Sequence, residues 1–407
     1  MTINSPARPR PRLLLIALAY LGFVSLGLPD AVIGVAWPTV RDTFSLSQSA
    51  IGMIFVASGI GYCFSSILAG KLTEDLGIGL LLAGSTGLVA TALFGFACSP
   101  WWFLFVAFAV FHGLGSGAID SGLNGYAAHY MSAQHMNWLH ACYCLGAMLG
   151  PLLMTAVLTS GRSYSAGYLT VGTVMLLLSL MFLATRPQWG TASATAASTE
   201  LRISAIRAIR NPTVLLQVIL FFCYTGLEAT FSQWTFTVLT ESRGMTPGPA
   251  GISVGVFWAS IGTGRIIFGL IADQVGIDRL LRFSILGVIV GALLFAAPWG
   301  AEAAFMGLIL AGFGLAPVFP CLMTRTPQRL GGALSAHAVG FQMGAAMIGV
   351  AVIPGTLGLI STRYGLHAVP IGTIVLSVAL WLLHEFLTRQ PNQGGTPPSE
   401  QAAAAIH

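Results

Sequence analysis

Three acidic residues stand within long apolar stretches of the sequence: Asp30, Asp120 and Glu228. A charge at the centre of a bilayer costs about 2.5–3.5 kcal/mol on insertion scales, so such residues face protein or a water-filled cavity. Loss of solvation favours the neutral form of a carboxyl group. A carboxyl group in this setting can therefore bind and release a proton, and we predict that Asp30 and Asp120 are sites for a proton or another cation.

Asp120 belongs to a polar stripe. His112, Ser116, Asp120 and Asn124 recur every four residues and so lie on one slowly drifting face of a helix. Glycines at 113, 115, 117, 122 and 125 allow close approach of neighbouring helices. This pattern predicts a cavity-lining helix in which Asp120 exchanges the cation and Asn124 contacts a solute. The alternative is an interhelical hydrogen-bond cluster with no part in turnover.

Asp30 directly follows Pro29, and proline removes a backbone donor from a helix. Asp30 is therefore either a cation site or the cap of a helix that restarts after the proline.

Glu228 is followed by Gln233 and Trp234. Sugar hydroxyls can donate to a carboxylate, and an indole offers the apolar surface that a sugar ring packs against. We predict that all three bind solute, with Gln342 as a further candidate. For Glu228 the alternative is a second titrating group, and for Trp234 it is a position in the aromatic belt at the membrane interface.

The amino-acid composition indicates that the chain is a membrane protein. Hydrophobic residues make up 55% of the 407 residues and charged residues only 8%, against about 25% charged residues in soluble domains. Apolar runs of roughly 20 residues can cross a bilayer as helices. Twelve are predicted, at 13–38, 48–72, 79–98, 101–128, 136–159, 166–186, 213–239, 250–272, 280–299, 302–324, 333–361 and 367–388.

The basic residues predict the orientation. With both termini in the cytoplasm, thirteen basic residues lie inside, namely Arg8, Arg10, Arg12, Lys71, Arg186, Arg202, Arg207, Arg210, Arg279, Arg282, Arg325, Arg329 and Arg389. Four lie outside: Arg41, Arg162, Arg243 and Arg363. This bias follows the positive-inside rule. The first span is too long for a signal peptide, and we expect it to be retained.

An internal repeat predicts the architecture. A shift of 199 positions places Gly70 on Gly269, Gly77 on Gly276 and Gly113 on Gly312. Two halves with the same orientation are related by a parallel pseudo-twofold axis, as in transporters that rock around a central site. The predicted fold is an all-α membrane protein of twelve helices in two six-helix bundles. Its parts are a tail at 1–12, bundles at 13–186 and 213–388, a cytoplasmic linker at 187–212 and a tail at 389–407.

The run from Gly269 to Arg279 resembles the signature that the major facilitator superfamily carries between its eighth and ninth helices. Its first-half copy, from Gly70 to Gly77, lacks the basic residues that usually follow. The resemblance covers essentially the whole chain and implies the major facilitator fold. It also implies a gating role for the signature, which we extend to Asp273, Arg265 and Arg279.

Four places are similar to the fucose permease and sodium-glucose carrier branch of that superfamily: Gly27–Asp30, Asp120–Asn124, Leu139–Ala141, and Gly226–Glu228 with Trp234. The likeness implies that the carboxylate of Asp30 is important and that Asp120 with Asn124 replaces a Glu–Asn pair. It also implies that His140 occupies a solute-contacting position, where the alternative is ordinary packing.

Together these features predict a secondary transporter that takes up a small polar solute, such as a sugar, with a proton by alternating access. A proton-driven exporter of amphiphilic compounds and a sodium-coupled symporter are the alternatives, and a non-transporting sensor is a third reading. No phosphate-binding loop, catalytic triad or metal cluster is found in the sequence. We therefore predict no enzyme activity, no cofactor and no nucleic-acid partner. The expected partners are the solute, the coupling ion and membrane lipid. We predict a monomer in the plasma membrane, such as the bacterial inner membrane.

Overall fold

The computed structural model describes residues 13–131, 133–189 and 208–390, and the regular secondary structure within these ranges is helical. Twelve segments of the described chain are long enough and apolar enough to cross a membrane. The predicted fold class and the number of spans are confirmed.

Seven helices make up the first six spans. They are α1 (Leu13–Asp30), α2 (Val32–Thr43), α3 (Ile51–Leu76), α4 (Ile78–Cys98), α5 (Trp102–Tyr130), α6 (Ala133–Thr159) and α7 (Tyr164–Thr185). The first span is divided into α1 and α2 at Ala31, directly after Pro29 and Asp30. A proline near a helix end leaves an earlier carbonyl without its usual donor, which favours a break there.

Seven further helices make up the last six spans. They are α8 (Pro212–Thr237), α9 (Pro247–Val275), α10 (Ile277–Ala296), α11 (Gly300–Leu315), α12 (Val318–Leu330), α13 (Gly332–Tyr364) and α14 (Ala368–Thr388). The side chain of Asn211 caps α8 by accepting from the backbone N–H groups of Thr213 and Val214. One π-helical turn, Val238–Ser242, extends α8.

The described chain forms two compact units. One contains residues 13–46 and 53–189, and the other contains 47–52 and 208–390. The short segment Ser47–Gly52 differs from the sequence-based division, which placed it in the first half. Its Gln48 amide donates to the Glu241 carboxylate at 3.0 Å, which ties the segment to the end of α8. Most of the predicted linker and both tails lie outside the described residues, so the predicted domain boundaries stay predictions.

The 199-residue repeat is visible in the backbone. Gly77 separates α3 from α4 with φ +78°, and Gly276 separates α9 from α10 with φ +85°. Side-chain-bearing residues rarely adopt this left-handed region, so glycine is required at both turns.

The repeat is also visible in helix packing. A side-chain carbon at Gly113 of α5 would collide with the carbonyl oxygen of Ser58 in α3. A side-chain carbon at Gly312 of α11 would meet the carbonyl oxygen of Phe257 in α9, and Phe257 is the residue 199 positions after Ser58. The same close helix contact therefore occurs once in each unit.

Candidate functional site

Close packing of α3 on α5 brings the polar residues of the first unit together. Gly61 and Gly113 both lie where an added side-chain carbon would strike the backbone of the neighbouring helix. With the two backbones in contact, the side chains of Ser58 and Tyr62 on α3 reach the polar stripe that the sequence predicts on α5.

Asp120 lies between two donors. The Tyr62 hydroxyl donates to Oδ2 at 2.5 Å, and the Asn124 amide donates to Oδ1 at 2.8 Å. Each carboxylate oxygen therefore accepts one hydrogen bond, an arrangement that suits the ionised form. The predicted pairing of Asp120 with Asn124 along one helix face is present, and Tyr62 joins it from α3.

Asp30 lies at the break between α1 and α2, where the Tyr143 hydroxyl of α6 donates to its Oδ2 at 3.0 Å. Nε2 of His112 lies 3.8 Å from Oδ1 of the same carboxylate. The residue before α2 is Ala31, which makes no side-chain capping bond. The carboxylate of Asp30 faces the side chains of Tyr143 and His112.

His112 and Ser116 continue this cluster along α5. Nδ1 of His112 lies 3.3 Å from the Ser58 hydroxyl. Ser116 is buried, and its hydroxyl has no hydrogen-bond partner among the described residues. His112 and Ser116 thus lie along α5 between two partly buried carboxylates, and only His112 is within ion-pair distance of one of them, Asp30.

The polar group of the second unit has a different composition. The Tyr224 hydroxyl donates to Oε2 of Glu228 at 2.5 Å, and a terminal nitrogen of Arg265 lies 4.0 Å from the same oxygen. The two side chains of this ion pair are 16% and 15% exposed. The sequence prediction left Arg265 without an assigned partner and grouped it with the gating signature, whereas the structure places it beside Glu228. Its position inside an apolar span was the signal for a nearby acid.

Two predicted solute contacts lie in helix packing. Trp234 is fully buried, and its indole N–H donates to the Pro354 carbonyl at 3.1 Å. Gln342 is also fully buried, and its amide donates to Gln217 at 2.8 Å and to Thr326 at 3.0 Å. These bonds join α13 to α8 and to α12. Trp234 also lies away from any surface aromatic belt, and solute contact stays a prediction for both.

Gln233 and His140 differ in exposure. Gln233 is buried within α8, next to Trp234. His140 is partly buried on α6, and its ring packs edge-on against Phe23 of α1 with centroids 5.4 Å apart. An aromatic neighbour of this kind fits either packing or a cavity wall, and solute binding by both residues stays a prediction.

Two of the three residues predicted for gating have described side chains, and gating stays a prediction for all three. Arg279 is exposed, Arg265 pairs with Glu228, and the side chain of Asp273 lies outside the described residues. Asp278, one residue before Arg279, forms ion pairs with Arg325 and with Arg329, the latter at 2.7 Å. Asp278 was not predicted as a site residue because it lies beyond the aspartate position of the signature. A signal was available in Arg325 and Arg329, which are spaced four apart and so share a helix face.

Comparison with known proteins decides the family. The model of the Major Facilitator Superfamily matches residues 19–354. The chain belongs to this superfamily. It is accordingly a multi-pass membrane transporter rather than an enzyme, as the sequence predicted.

Characterised relatives are distant. The chain is 24% identical to sodium-dependent glucose transporter 1 of Homo sapiens over 84% of this chain and 72% of the relative. It is 25% identical to the glucose/mannose transporter GlcP of Bacillus subtilis over 75% of this chain and 78% of the relative. Among solved structures, the nucleoside transporter NupG matches with a TM-score of 0.76 at 16% identity, covering 93% of this chain and 99% of that one. The structural likeness shows a shared fold.

Proposed function

We propose that this superfamily member is a proton-coupled symporter for a small polar solute such as a sugar. The observation that carries the proposal is the environment of Asp120, a carboxylate within a membrane span whose two oxygens accept from Tyr62 and Asn124. Uptake of a proton would make one of these two oxygens a donor and remove the charge, while the other oxygen stays an acceptor. The partner of the protonated oxygen must then reorient. If that partner is Tyr62, protonation of Asp120 changes the contact between α3 and α5.

Asp30 assists in this scheme. Its carboxylate lies in the same unit, at a helix break, and accepts from Tyr143. Bending at a break between two helices disrupts fewer backbone hydrogen bonds than bending within a helix. The angle between α1 and α2 can therefore change at Ala31. Proton exchange at Asp30 would thereby act on the part of the first span that is easiest to move.

The proposed solute site includes Glu228 of the second unit. Tyr224 and Arg265 both engage Oε2, and a carboxylate offers about four lone-pair positions in all. Glu228 can therefore keep its charge and still accept from solute hydroxyl groups. This favours the acceptor role over a titrating role for Glu228. Two relatives are named as glucose transporters, which supports a sugar as the solute.

The proposal is tested with the purified full-length protein in liposomes, with radiolabelled D-glucose and D-mannose as probes. A pH gradient, acid outside, should drive accumulation above equilibrium, and an ionophore that collapses the gradient should abolish it. Counterflow without accumulation under any pH gradient would contradict proton coupling.

Sodium coupling is the second candidate. One relative is named a sodium-dependent glucose transporter, and the carboxylate of Asp120 with the hydroxyl oxygen of Tyr62 offers oxygen ligands of the kind that a cation prefers. Replacing external sodium with choline at a constant pH gradient separates the two couplings. Unchanged accumulation supports the proton, and its loss supports sodium.

We also propose that both termini are cytoplasmic and that the protein is a monomer in the plasma membrane. The bias of thirteen basic residues to one side supports the orientation. Reporter fusions at each terminus test it, and a reporter active outside the cytoplasm would contradict it.

A further inference from the structure

His112 is the basic member of the cluster in the first unit. Nε2 lies 3.8 Å from Oδ1 of Asp30, within ion-pair distance but longer than a hydrogen bond. The ring is buried and tilted against Phe96 of α4, with ring centroids 6.2 Å apart. One side of the imidazole is therefore apolar, while its two nitrogens point to polar partners.

The partner of Nδ1 is compatible with both charge states of the ring. Ser58 lies 3.3 Å from Nδ1, and a hydroxyl can donate to a neutral ring nitrogen or accept from a protonated one. In the neutral form with Ser58 donating, the ring proton sits on Nε2 and faces Asp30. In the charged form both nitrogens donate, to Ser58 and to Asp30. Neither state leaves Nδ1 without a suitable partner.

We propose that His112 exchanges a proton with Asp30 and is a second proton-carrying residue of the transport cycle. This inference rests on the proposed proton coupling. In the exchange, the ring starts as the neutral tautomer with its proton on Nδ1, which donates to Ser58. The O–H bond of protonated Asp30 breaks and an N–H bond forms at the free Nε2, which leaves a carboxylate beside an imidazolium. The pair has no net charge before or after this step. Loss of the proton to either side of the membrane leaves one negative charge.

Four titratable groups of the described chain surround the proposed exchange. Titratable groups face His112 or its partners from each neighbouring polar helix: Asp30 on α1, Tyr62 on α3, Tyr143 on α6, and Asp120 two turns along α5. Phe96 of α4 adds no charge. His112 is thus the member of this cluster that can become a cation, and it lies beside the carboxylate of Asp30.

Ser116 extends the exchange toward Asp120. It lies one helical turn from His112 and one turn from Asp120, on the same face of α5. Ser116 is 3% exposed, and its hydroxyl forms no hydrogen bond with another described group. A hydroxyl both donates and accepts, so Ser116 could pass a proton along the stripe only after it turns into hydrogen-bond distance of His112 or Asp120.

A solute-independent experiment tests the pairing directly. NMR of full-length protein with labelled histidine should show an imidazole signal that is missing in His112→Gln and that titrates with pH. In Asp30→Asn its midpoint should move to lower pH by about one unit, because the imidazolium loses its counter-charge. A His112 signal that does not titrate, or whose midpoint is the same in Asp30→Asn, would overturn the proposal.

The transport experiment uses His112→Gln in liposomes with D-glucose. Accumulation driven by the pH gradient should fall by at least about tenfold, while counterflow stays within about threefold of wild type because it needs no net proton movement. Ser58→Ala should cause a smaller loss and an altered pH profile. His367→Gln, at an exposed position before α14, is the matched control and should leave both assays unchanged.

The two failures are distinguishable. If wild type shows no accumulation under a pH gradient, the proposed coupling fails. If wild type accumulates and His112→Gln accumulates equally with the same pH profile, coupling stands and the role of His112 is overturned. Thermal melting of each variant separates loss of folding from loss of coupling, and His112→Asn serves if His112→Gln does not fold.

Discussion

The α3–α5 pair of the first unit and the α9–α11 pair of the second share a backbone contact but differ in chemistry. Gly113 lies against the Ser58 carbonyl, and Gly312 lies against the Phe257 carbonyl 199 residues later. The polar residues Ser58, Tyr62, His112, Ser116, Asp120 and Asn124 correspond in the repeat to Phe257, Ile261, Ala311, Leu315, Phe319 and Met323. The close contact depends on backbone atoms alone, so it persists whichever side chains flank it.

The difference shows how charge is handled in each unit. The second unit pairs its acid Glu228 with a permanent cation, Arg265, at 4.0 Å. The first unit has two acids, Asp30 and Asp120, near a histidine whose charge depends on pH. A fixed pair suits recognition of a solute, whereas a cluster that changes its charge suits coupling. Variants at matched positions of the two units test whether this difference in charge leads to a difference in stability and in proton coupling.

The largest effect on stability is expected from Glu228→Gln. This change leaves Arg265 in a span without its counter-charge, and breaking a buried ion pair costs about 3–5 kcal/mol. Thermal unfolding in detergent should show a marked loss, whereas Asp120→Asn should unfold near the wild-type temperature. A double variant with Arg265→Gln should recover part of the stability. Equal stability of Glu228→Gln and wild type would contradict the fixed pair.

Gly113→Ala and Gly312→Ala are expected to have intermediate effects. Each adds a carbon that would collide with a backbone carbonyl, and overpacking costs about 1–3 kcal/mol. Both should melt at lower temperature, but only Gly113→Ala should also reduce gradient-driven accumulation, because it separates Tyr62 from Asp120. Gly125→Ala is the control on α5, since nothing lies within 4 Å of the added carbon. Similar coupling in the two glycine variants would remove the functional difference between the units.

Tyr62→Phe should have a smaller effect than the Glu228 and glycine variants. It keeps the ring and removes the hydroxyl that donates to Asp120, a loss of about 1 kcal/mol or roughly fivefold in rate. Initial rates of uptake under a pH gradient measure this. Ile261→Val, at the matching position of the second unit, should leave uptake near wild type. Equal rates in Tyr62→Phe and wild type would argue against the Tyr62 contact.

Periodicity predicted much of this structure. Runs of apolar residues are long, so the twelve spans could be read from the sequence, and four-residue spacing placed His112, Ser116, Asp120 and Asn124 on one face of α5. The partners Ser58, Tyr62 and Tyr143 could not be predicted in the same way, because spacing within a helix says nothing about which residues of another helix lie opposite.

The predictions for single polar residues were less secure for a related reason. A polar residue in a span can face a cavity or form a hydrogen bond with a neighbouring helix. The sequence around the residue is similar in both cases, so it does not distinguish them. Trp234 and Gln342 bond to neighbouring helices in this structure, and their predicted solute contact stays a prediction. Arg265 needed an acid, but distance along the chain does not show that Glu228, on the preceding span, would supply it.

Whether Asp120 carries the coupling proton is tested by Asp120→Asn in liposomes, measured beside wild type with D-glucose. The substituted amide keeps the size of the side chain and cannot exchange a proton. We predict that accumulation driven by the pH gradient is lost while counterflow persists. Accumulation equal to wild type in Asp120→Asn would contradict the account.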